Sequence, residues 1–268
     1  MNGLLFGSLL ALWQDQAAVS HSSKLVSGLL VAGDQPVHAA ITDAAIADST
    51  LAIPQPAGGQ KLSYRQWVDV LAKDAAAVAV QKPAHLTVLL GDSLSLWFPG
   101  ELMPGRRVWI NQSISGEKTQ GLLKRLDLLK DNDVEAVFLM IGINDLIWGK
   151  PDDEIIANYR EIVAQLKKDH PQAQIVVQSI LPHGGEESTW ESRDKLLALN
   201  SDRIVQLNTA LQQIAADNNA YYLDLYPIFV TGDGELRSDL TTDGLHLNRQ
   251  GYLVWRSAIA LYAQLKLQ

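Results

Sequence analysis

The chain has 268 residues, no cysteine and a net charge of -8, from 30 acidic and 22 basic residues. A chain of this length can bury about three quarters of its unfolded surface, so one large domain or a domain with an extension is expected. The lack of cysteine excludes disulfides, thiolate metal sites and a cysteine nucleophile. The acidic balance and the scattered basic residues argue against a nucleic-acid partner.

The first 62 residues differ in composition from the rest. They are rich in Ala, Ser, Gly, Gln and Asp and end in a Pro- and Gly-rich stretch, residues 54–60. The apolar run at residues 1–13 is shorter than the roughly 18 residues of a membrane span. An export signal requires a Lys or Arg before its apolar region, and none precedes this run. We therefore interpret residues 1–62 as an N-terminal extension without a transmembrane span and predict a cytoplasmic protein. Export or membrane association through the apolar start is the alternative.

Helices and strands alternate from residue 63 onwards. Apolar residues recur at helical spacing from Ser63, a candidate N-cap, to Pro83. Short apolar runs predict β-strands at residues 86–90, 108–111, 136–141, 174–180 and 221–225. Amphipathic stripes predict helices at residues 122–129, 152–169, 204–214 and 252–262. This alternation predicts a parallel sheet covered on both faces, so residues 63–268 are expected to form a three-layer α/β/α domain with a leading helix.

A serine lies at the carboxyl end of the first predicted strand, where open α/β sheets form their binding crevice. It is Ser93, in the sequence G-D-S-L at residues 91–94. A serine hydroxyl attacks a carbonyl when a base removes its proton and a third group holds that base in the right tautomer. His246 and Asp243 are close enough in sequence for one loop to present both. We therefore predict Ser93 as nucleophile, His246 as base and Asp243 as its orienting carboxylate, although each could singly be a turn or capping residue.

Attack on an ester creates an oxyanion that needs preorganised hydrogen-bond donors. Ser93 and Gly116 can each offer a backbone N–H, and Asn144 can offer its side-chain amide. All three follow predicted strands, so a parallel sheet would bring them to the same edge. We predict that these three residues form an oxyanion hole.

Four sequence blocks resemble those of the SGNH hydrolases, also called GDSL esterases and lipases. They are G-D-S-L at residues 91–94, the glycine block ending at Gly116, G-x-N-D at residues 142–145 and D-x-x-H at residues 243–246. The resemblance covers residues 86–262. It implies a flavodoxin-like five-stranded parallel sheet and a serine hydrolase mechanism without metal or organic cofactor. It also implies small-molecule ester substrates, namely acyl lipids, thioesters or acetylated sugars.

Two other functions remain open: carbohydrate O-acetyl ester hydrolysis, and a catalytically silent ligand-binding module of the same fold. Metal-dependent hydrolysis is not expected, since ligand motifs such as H-E-x-x-H are missing from the sequence. Trp97, Trp148 and His183 are candidates for the substrate pocket, although aromatic residues after strands often pack in the core. We interpret Asp92 and Asp145 as structural residues that hold loops and backbone donors.

Overall fold

The computed structural model describes residues 62–267. Its strands are β1 (Leu86–Gly91), β2 (Val108–Asn111), β3 (Val134–Met140), β4 (Gln174–Gln178) and β5 (Tyr221–Leu223). Its α-helices are α1 (Tyr64–Gln81), α2 (Ser93–Leu96), α3 (Thr119–Leu123), α4 (Ile143–Ile147), α5 (Asp152–Asp169), α6 (Arg193–Leu197), α7 (Ser201–Asp217), α8 (Tyr226–Phe229) and α9 (Arg249–Lys266). Short 3₁₀ turns occur at Gly100–Leu102, Leu126–Leu129, Gly185–Glu187 and Ser238–Leu240.

The predicted N-terminal extension lies outside the described residues, apart from Leu62. The apolar run at residues 1–13 lies outside them as well. Among the helices of residues 62–267, none combines the length and the apolar character that crossing a membrane requires.

The five strands form one parallel sheet in the order β2-β1-β3-β4-β5. Along the sheet, the chain passes from β1 to β2 in one direction and from β2 to β3, β4 and β5 in the other. Because crossovers between parallel strands are right-handed, the helical segment between β1 and β2 lies on the opposite face of the sheet from α3, α5 and α7. The contacts agree: α3 touches α5, α5 touches α7, and α9 touches the turn Gly100–Leu102 between β1 and β2. β1 is buried along its whole length, as expected when both faces are covered. The predicted three-layer α/β/α fold is confirmed.

The leading helix α1 begins and ends at local sequence signals. Ser63 and Gln66 form a capping box, in which the Gln66 Oε1 atom accepts from the Ser63 backbone N–H at 2.9 Å. Lys82 ends the helix in the left-handed region with φ 46°, and its N–H donates to the Val78 carbonyl. Pro83 follows directly. The predicted helix between Ser63 and Pro83 is confirmed.

Strands β4 and β5 end earlier than predicted, at residues 178 and 223 instead of 180 and 225. The Ser179 N–H still donates to the Leu223 carbonyl of β5 at 3.1 Å, but beyond these residues the backbone bonds to side chains. Ile180 exchanges both of its backbone hydrogen bonds with the Asn208 amide, at 2.8 and 2.9 Å. The Ser179 hydroxyl accepts from the Leu225 N–H at 2.8 Å. These pairings are set by tertiary packing, which an apolar run does not reveal.

The predicted helical stripe over residues 122–129 is also divided. Helix α3 ends at Leu123, and the 3₁₀ turn Leu126–Leu129 follows. Strand β3 begins at Val134, two residues before the predicted start.

Helix α9 packs against the turn that follows β1. The Tyr252 hydroxyl donates to the Leu94 carbonyl at 3.0 Å, and the Trp255 indole N–H donates to the Gln178 Oε1 atom at 2.7 Å. The Phe98 ring meets both aromatic rings edge-on, at centroid distances of 5.3 and 5.2 Å. The chain just before α9 is therefore held close to the chain just after β1.

Candidate active site

The segments that follow β1, β2 and β3 leave the sheet at one edge. The strand register pairs Leu89 with Asn111 and Gly91 with Met140. Gly91 allows the next turn to pass close to β3: a Cβ atom there would lie 2.2 Å from the Met140 carbonyl oxygen and 2.4 Å from the Ser95 hydroxyl. Ser93 follows this crowded point and is the first residue of α2.

Asp92 caps the short helix that begins at Ser93. Its Oδ1 atom accepts from the Leu94 N–H at 3.0 Å. The Ser93 backbone N–H has no protein acceptor within residues 62–267, so it is available to a substrate atom. The serine is thus held with its hydroxyl and its N–H at the end of the strand.

Ser93, His246 and Asp243 form a continuous chain of hydrogen bonds. The Ser93 hydroxyl lies 3.1 Å from the His246 Nε2 atom, and the His246 Nδ1 atom lies 2.8 Å from the Asp243 Oδ2 atom. The carboxylate fixes the proton on Nδ1, which leaves Nε2 as the acceptor that faces the serine. The structure therefore brings together the three residues predicted as a triad.

Asp243 is kept ionised by the groups around it. Burial on its own would raise the pKa of this carboxyl, but hydrogen bonds from the His246 ring and from the backbone N–H groups of His246 and Leu245 outweigh it and hold the pKa below its ordinary value. Those backbone bonds are 2.8 and 2.9 Å long. A charged carboxylate at this position would stabilise an imidazolium at His246, as the predicted triad requires.

The loop that carries Asp243 is clamped by the segment after β4. The Asp243 carbonyl accepts from the N–H groups of Thr189 and Trp190, at 2.9 and 3.0 Å, and from the Ser188 hydroxyl at 2.8 Å. Gly244, at φ +87°, lies so close to Ser188 that a Cβ atom would come within 2.6 Å of the serine Cβ. His246 and Asp243 thus lie on a loop that these three hydrogen bonds fasten to the segment after β4.

The predicted oxyanion donors lie beside this triad. Gly116 adopts φ +75°, and its N–H has no protein acceptor within the described residues. The Asn144 amide donates one hydrogen to the Glu117 carbonyl at 3.2 Å, which leaves its second hydrogen for another acceptor. The loop after β2 is tied to the strand before the serine, because the Ile114 N–H donates to the Gly91 carbonyl at 3.2 Å.

Asp92 and Asp145 hold backbone and side-chain donors, as predicted. Asp145 accepts from the Thr119 N–H at 2.9 Å and from the Thr119 hydroxyl at 2.7 Å, and these bonds join α4 to the start of α3. Burial raises the pKa of Asp145, although the bonds from Thr119 oppose it. Asp92 is fully buried, which raises its pKa to about 7. Its Oδ2 atom has no hydrogen-bond partner within residues 62–267.

The two tryptophans predicted for the substrate pocket are both half-exposed. The Trp97 ring lies over the His246 ring, with the centroids 4.3 Å apart and the planes tilted by 42°. Trp148 follows α4, and its N–H donates to the Asn144 carbonyl at 3.1 Å. The Trp97 ring therefore contacts His246, whereas Trp148 lies one helical turn after Asn144.

His183 differs from the other two candidates because its ring is buried. Its Nε2 atom lies 2.8 Å from the Leu199 carbonyl oxygen, and its Nδ1 atom accepts from the Gly185 N–H at 3.2 Å. Backbone groups thus occupy both ring nitrogens, and this geometry leaves none to contact a substrate. Within the described part of the chain, no group of three or more His, Cys, Asp or Glu side chains is placed to hold a metal ion.

The family model of the GDSL-like lipases and acylhydrolases matches residues 48–254. The chain belongs to this family. A relative is subunit alpha1 of platelet-activating factor acetylhydrolase IB from Bos taurus, 27% identical over 174 residues that cover 62% of this chain and 69% of the relative. Family and relative together make this GDSL acylhydrolase a carboxylic ester hydrolase.

Solved structures share the fold of this acylhydrolase. A protein from Streptococcus pneumonia described as a platelet activating factor superposes with a TM-score of 0.66 at 25% identity, over 74% of this chain and 93% of its own. A GDSL-like lipase from Bacteroides thetaiotaomicron superposes with a TM-score of 0.62 at 20% identity, over 74% of this chain and 97% of its own. The second similarity concerns the fold alone.

The sequence did not predict the buried ion pair beside the Gly116 loop of this GDSL acylhydrolase. The Arg125 guanidinium donates to both carboxylate oxygens of Glu117, from Nε at 2.8 Å and from Nη2. The side chains are only 4% and 1% exposed. The Tyr64 hydroxyl also donates to Glu117 at 3.1 Å, and burial together with this carboxylate raises the pKa of Tyr64 to about 12. The only sign of this ion pair in the sequence is an acidic residue, Glu117, directly after Gly116.

Proposed function

We propose that this esterase cleaves its substrates through a covalent acyl-enzyme on Ser93. The observation that carries the proposal is the hydrogen-bonded series from the Ser93 hydroxyl through His246 to Asp243, with lengths of 3.1 and 2.8 Å. Both distances lie within the range in which a base accepts a nucleophile's proton. The buried site needs only small side-chain movements to begin the reaction.

In the first half-reaction, His246 Nε2 takes the Ser93 proton while the serine oxygen bonds to the substrate carbonyl carbon. The carbonyl oxygen becomes an oxyanion, which accepts hydrogen bonds from the N–H groups of Ser93 and Gly116 and from the Asn144 amide. The imidazolium then gives its proton to the leaving alcohol or thiol, and the bond to that group breaks. In the second half-reaction, water gives a proton to His246, attacks the acyl carbon and releases the acid, and the proton returns to Ser93.

A cavity beside Gly116 limits the substituent that can lie on that side of the site. It has a volume of about 230 Å³ and is lined by Tyr64, Ser115, Gly116, Glu117, Lys118, Gln120, Gly121 and Lys150. This volume is below the roughly 300 Å³ at which sites for drug-sized ligands begin. We therefore place a compact group, and not a long fatty chain, on the Gly116 side.

The proposal is tested with nitrophenyl esters of increasing acyl length and the variant Ser93→Ala. We expect kcat/KM to fall by about 10³-fold or more, since removal of a triad nucleophile has effects of this size or larger. The matched control is Ser95→Ala, two residues further along α2, whose hydroxyl has no hydrogen-bond partner within residues 62–267. Ester hydrolysis that persists in Ser93→Ala would refute the acyl-enzyme on this residue.

Carbohydrate O-acetyl ester hydrolysis is the second candidate. Trp97 and Trp148 are 49% and 51% exposed, and such flat, accessible indole faces suit a sugar ring. Acetate release from acetylated sugars, compared with nitrophenyl acetate, distinguishes the two activities. A silent binding module would release acetate from neither, and Ser93→Ala would then change nothing.

A further inference from the structure

Two lysine side chains meet at the exposed Trp148 ring. The Lys195 ammonium lies 4.3 Å from the ring centroid and the Lys118 ammonium 5.7 Å, both within the range of a cation–π contact. The two charges are therefore no more than about 10 Å apart. They come from different elements, since Lys118 precedes α3 and Lys195 lies on α6.

These lysines connect the two halves of the candidate active site. Lys118 is two residues after Gly116 in the lining of the cavity described above, so the two backbones are within roughly 7 Å of each other. Lys195 follows the segment whose N–H groups clamp the Asp243 carbonyl. Trp148, whose ring both lysines contact, lies one helical turn after Asn144, and its backbone N–H donates to the Asn144 carbonyl. An anion held between the ammonium groups would thus lie beside the predicted oxyanion donors.

The positive charge of this pair is not compensated by a direct ion pair. Within the described residues, neither Lys118 nor Lys195 forms a salt bridge, whereas Lys150 in the same cavity pairs with Glu154 at 2.7 Å. Of the carboxylates near the pair, Glu117, next to Lys118 in sequence, is already bound by Arg125, and Asp145, on which the Lys118 charge acts, is bound by Thr119; Asp194 precedes Lys195 but forms no salt bridge with it within the described residues. In a chain with a net charge of -8, two unpaired ammonium groups that converge on one ring form a local site for negative charge.

We propose that Lys118 and Lys195 form an anion subsite, so that the substrates of this esterase carry a carboxylate or phosphate group next to the scissile ester. The proposal rests on the proposed function, because it defines the substrate class of the same site. Trp148 holds the two ammonium groups at the rim by cation–π contact. The carboxylate or phosphate of the substrate then lies between the two ammonium groups, while the ester carbonyl faces Ser93.

The test compares esters that differ in charge. In the first series the charge is on the leaving group: phenyl acetate is neutral, and 4-carboxyphenyl acetate and 4-acetoxyphenyl phosphate are anionic. In the second series the charge is on the acyl group: phenyl butyrate is neutral, and the phenyl monoester of succinate is anionic. Rates are normalised to hydroxide-catalysed hydrolysis. We expect a higher normalised kcat/KM for anionic esters in at least one series. The anionic-to-neutral ratio should fall about threefold in Lys118→Gln or Lys195→Gln and about tenfold in the double variant, as expected for exposed charge pairs.

Lys168→Gln is the matched control, since it removes the same charge from the last turn of α5, which leads to the opposite edge of the sheet. A ratio that falls equally in this variant means a general charge effect and overturns the subsite. An anionic-to-neutral ratio that is unchanged in the double variant also overturns the subsite. The esterase mechanism would still stand in that case if Ser93→Ala loses all hydrolysis. The carboxylate and phosphate arms show which anion is preferred.

A binding measurement separates the subsite from catalysis. Phenyl phosphate and benzoate are titrated calorimetrically into Ser93→Ala, with and without the two lysine substitutions. Saturable binding that the double variant weakens about tenfold supports the subsite even if Ser93 is not the nucleophile. No binding of either anion to Ser93→Ala, together with equal hydrolysis of charged and neutral esters, would contradict it.

Discussion

In the proposed mechanism, the carboxylate of Asp243 acts through one ring, that of His246. Its Oδ2 atom meets the ring Nδ1 atom at 2.8 Å, and its other oxygen binds two backbone N–H groups of the same loop. It therefore both orients the imidazole and stabilises its charged form. A neutral amide of the same shape keeps the packing but loses the charge.

We predict that Asp243→Asn lowers kcat for ester hydrolysis by about 10²- to 10⁴-fold, because the amide favours the wrong imidazole tautomer and does not stabilise the imidazolium. Steady-state kinetics with a nitrophenyl ester measure the effect. Asp217→Asn, at the exposed end of α7, is the control and should keep wild-type kinetics. A kcat within a few-fold of wild type for Asp243→Asn would show that this carboxylate does not orient the base.

Asp92 gives a pH dependence of stability with a definite sign. Its folded pKa, about 7, lies above the roughly 3.9 of an unfolded aspartate, so the folded state binds the extra proton between these values. Its contribution to stability is present at low pH and is lost as the pH rises through about 7. Asp92→Asn keeps an oxygen for the Leu94 N–H but does not titrate. We predict that the urea midpoint of the variant rises relative to that of wild type as the pH increases from 4 to 8. A difference between the two midpoints that stays constant with pH would contradict the raised pKa.

At the scale of elements, the ion pair between Glu117 and Arg125 joins the loop after β2 to the chain after α3. Both side chains are almost completely buried. Removal of one partner leaves an uncompensated charge in a poorly polar environment, whereas removal of both charges avoids that cost. The pair thus determines the stability of the loop that carries Gly116.

We predict that Arg125→Met lowers the free energy of unfolding by about 3–5 kcal/mol. The double variant Glu117→Gln/Arg125→Met should recover a large part of this loss, because the unpaired charge is gone. Urea unfolding followed by tryptophan fluorescence measures both values. Equal losses in the single and double variants would mean that packing, and not charge pairing, supports the loop.

At the scale of the whole molecule, the site joins residues far apart in the chain: Ser93 and His246 are separated by 153 positions. Their meeting could be predicted because each lies in a motif of recognisable order, and because parallel strands end at one edge of the sheet. The five strands could be found from short apolar runs, since a sheet buried on both faces needs them. The helix from Ser63 followed from its cap and its terminating proline.

Other contacts depend on packing that the sequence does not encode locally. The pairing of Glu117 with Arg125 follows no helical spacing, and Lys195 reaches Trp148 from a distant element. His183 was a pocket candidate because it follows a strand, but its ring turns inward to bind backbone groups. Side-chain direction at a strand end is decided by the surrounding loops.

Covalent labelling with a fluorophosphonate tests the central claim most directly, because the probe reacts with a serine only when a base activates it beside an oxyanion hole. Peptide mapping should locate the label on Ser93 in the native protein. Labelling should be lost in Ser93→Ala, strongly slowed in His246→Ala, and absent in protein unfolded by urea. Label on another residue, or an active esterase that takes up none, would contradict the assignment of Ser93 as the nucleophile.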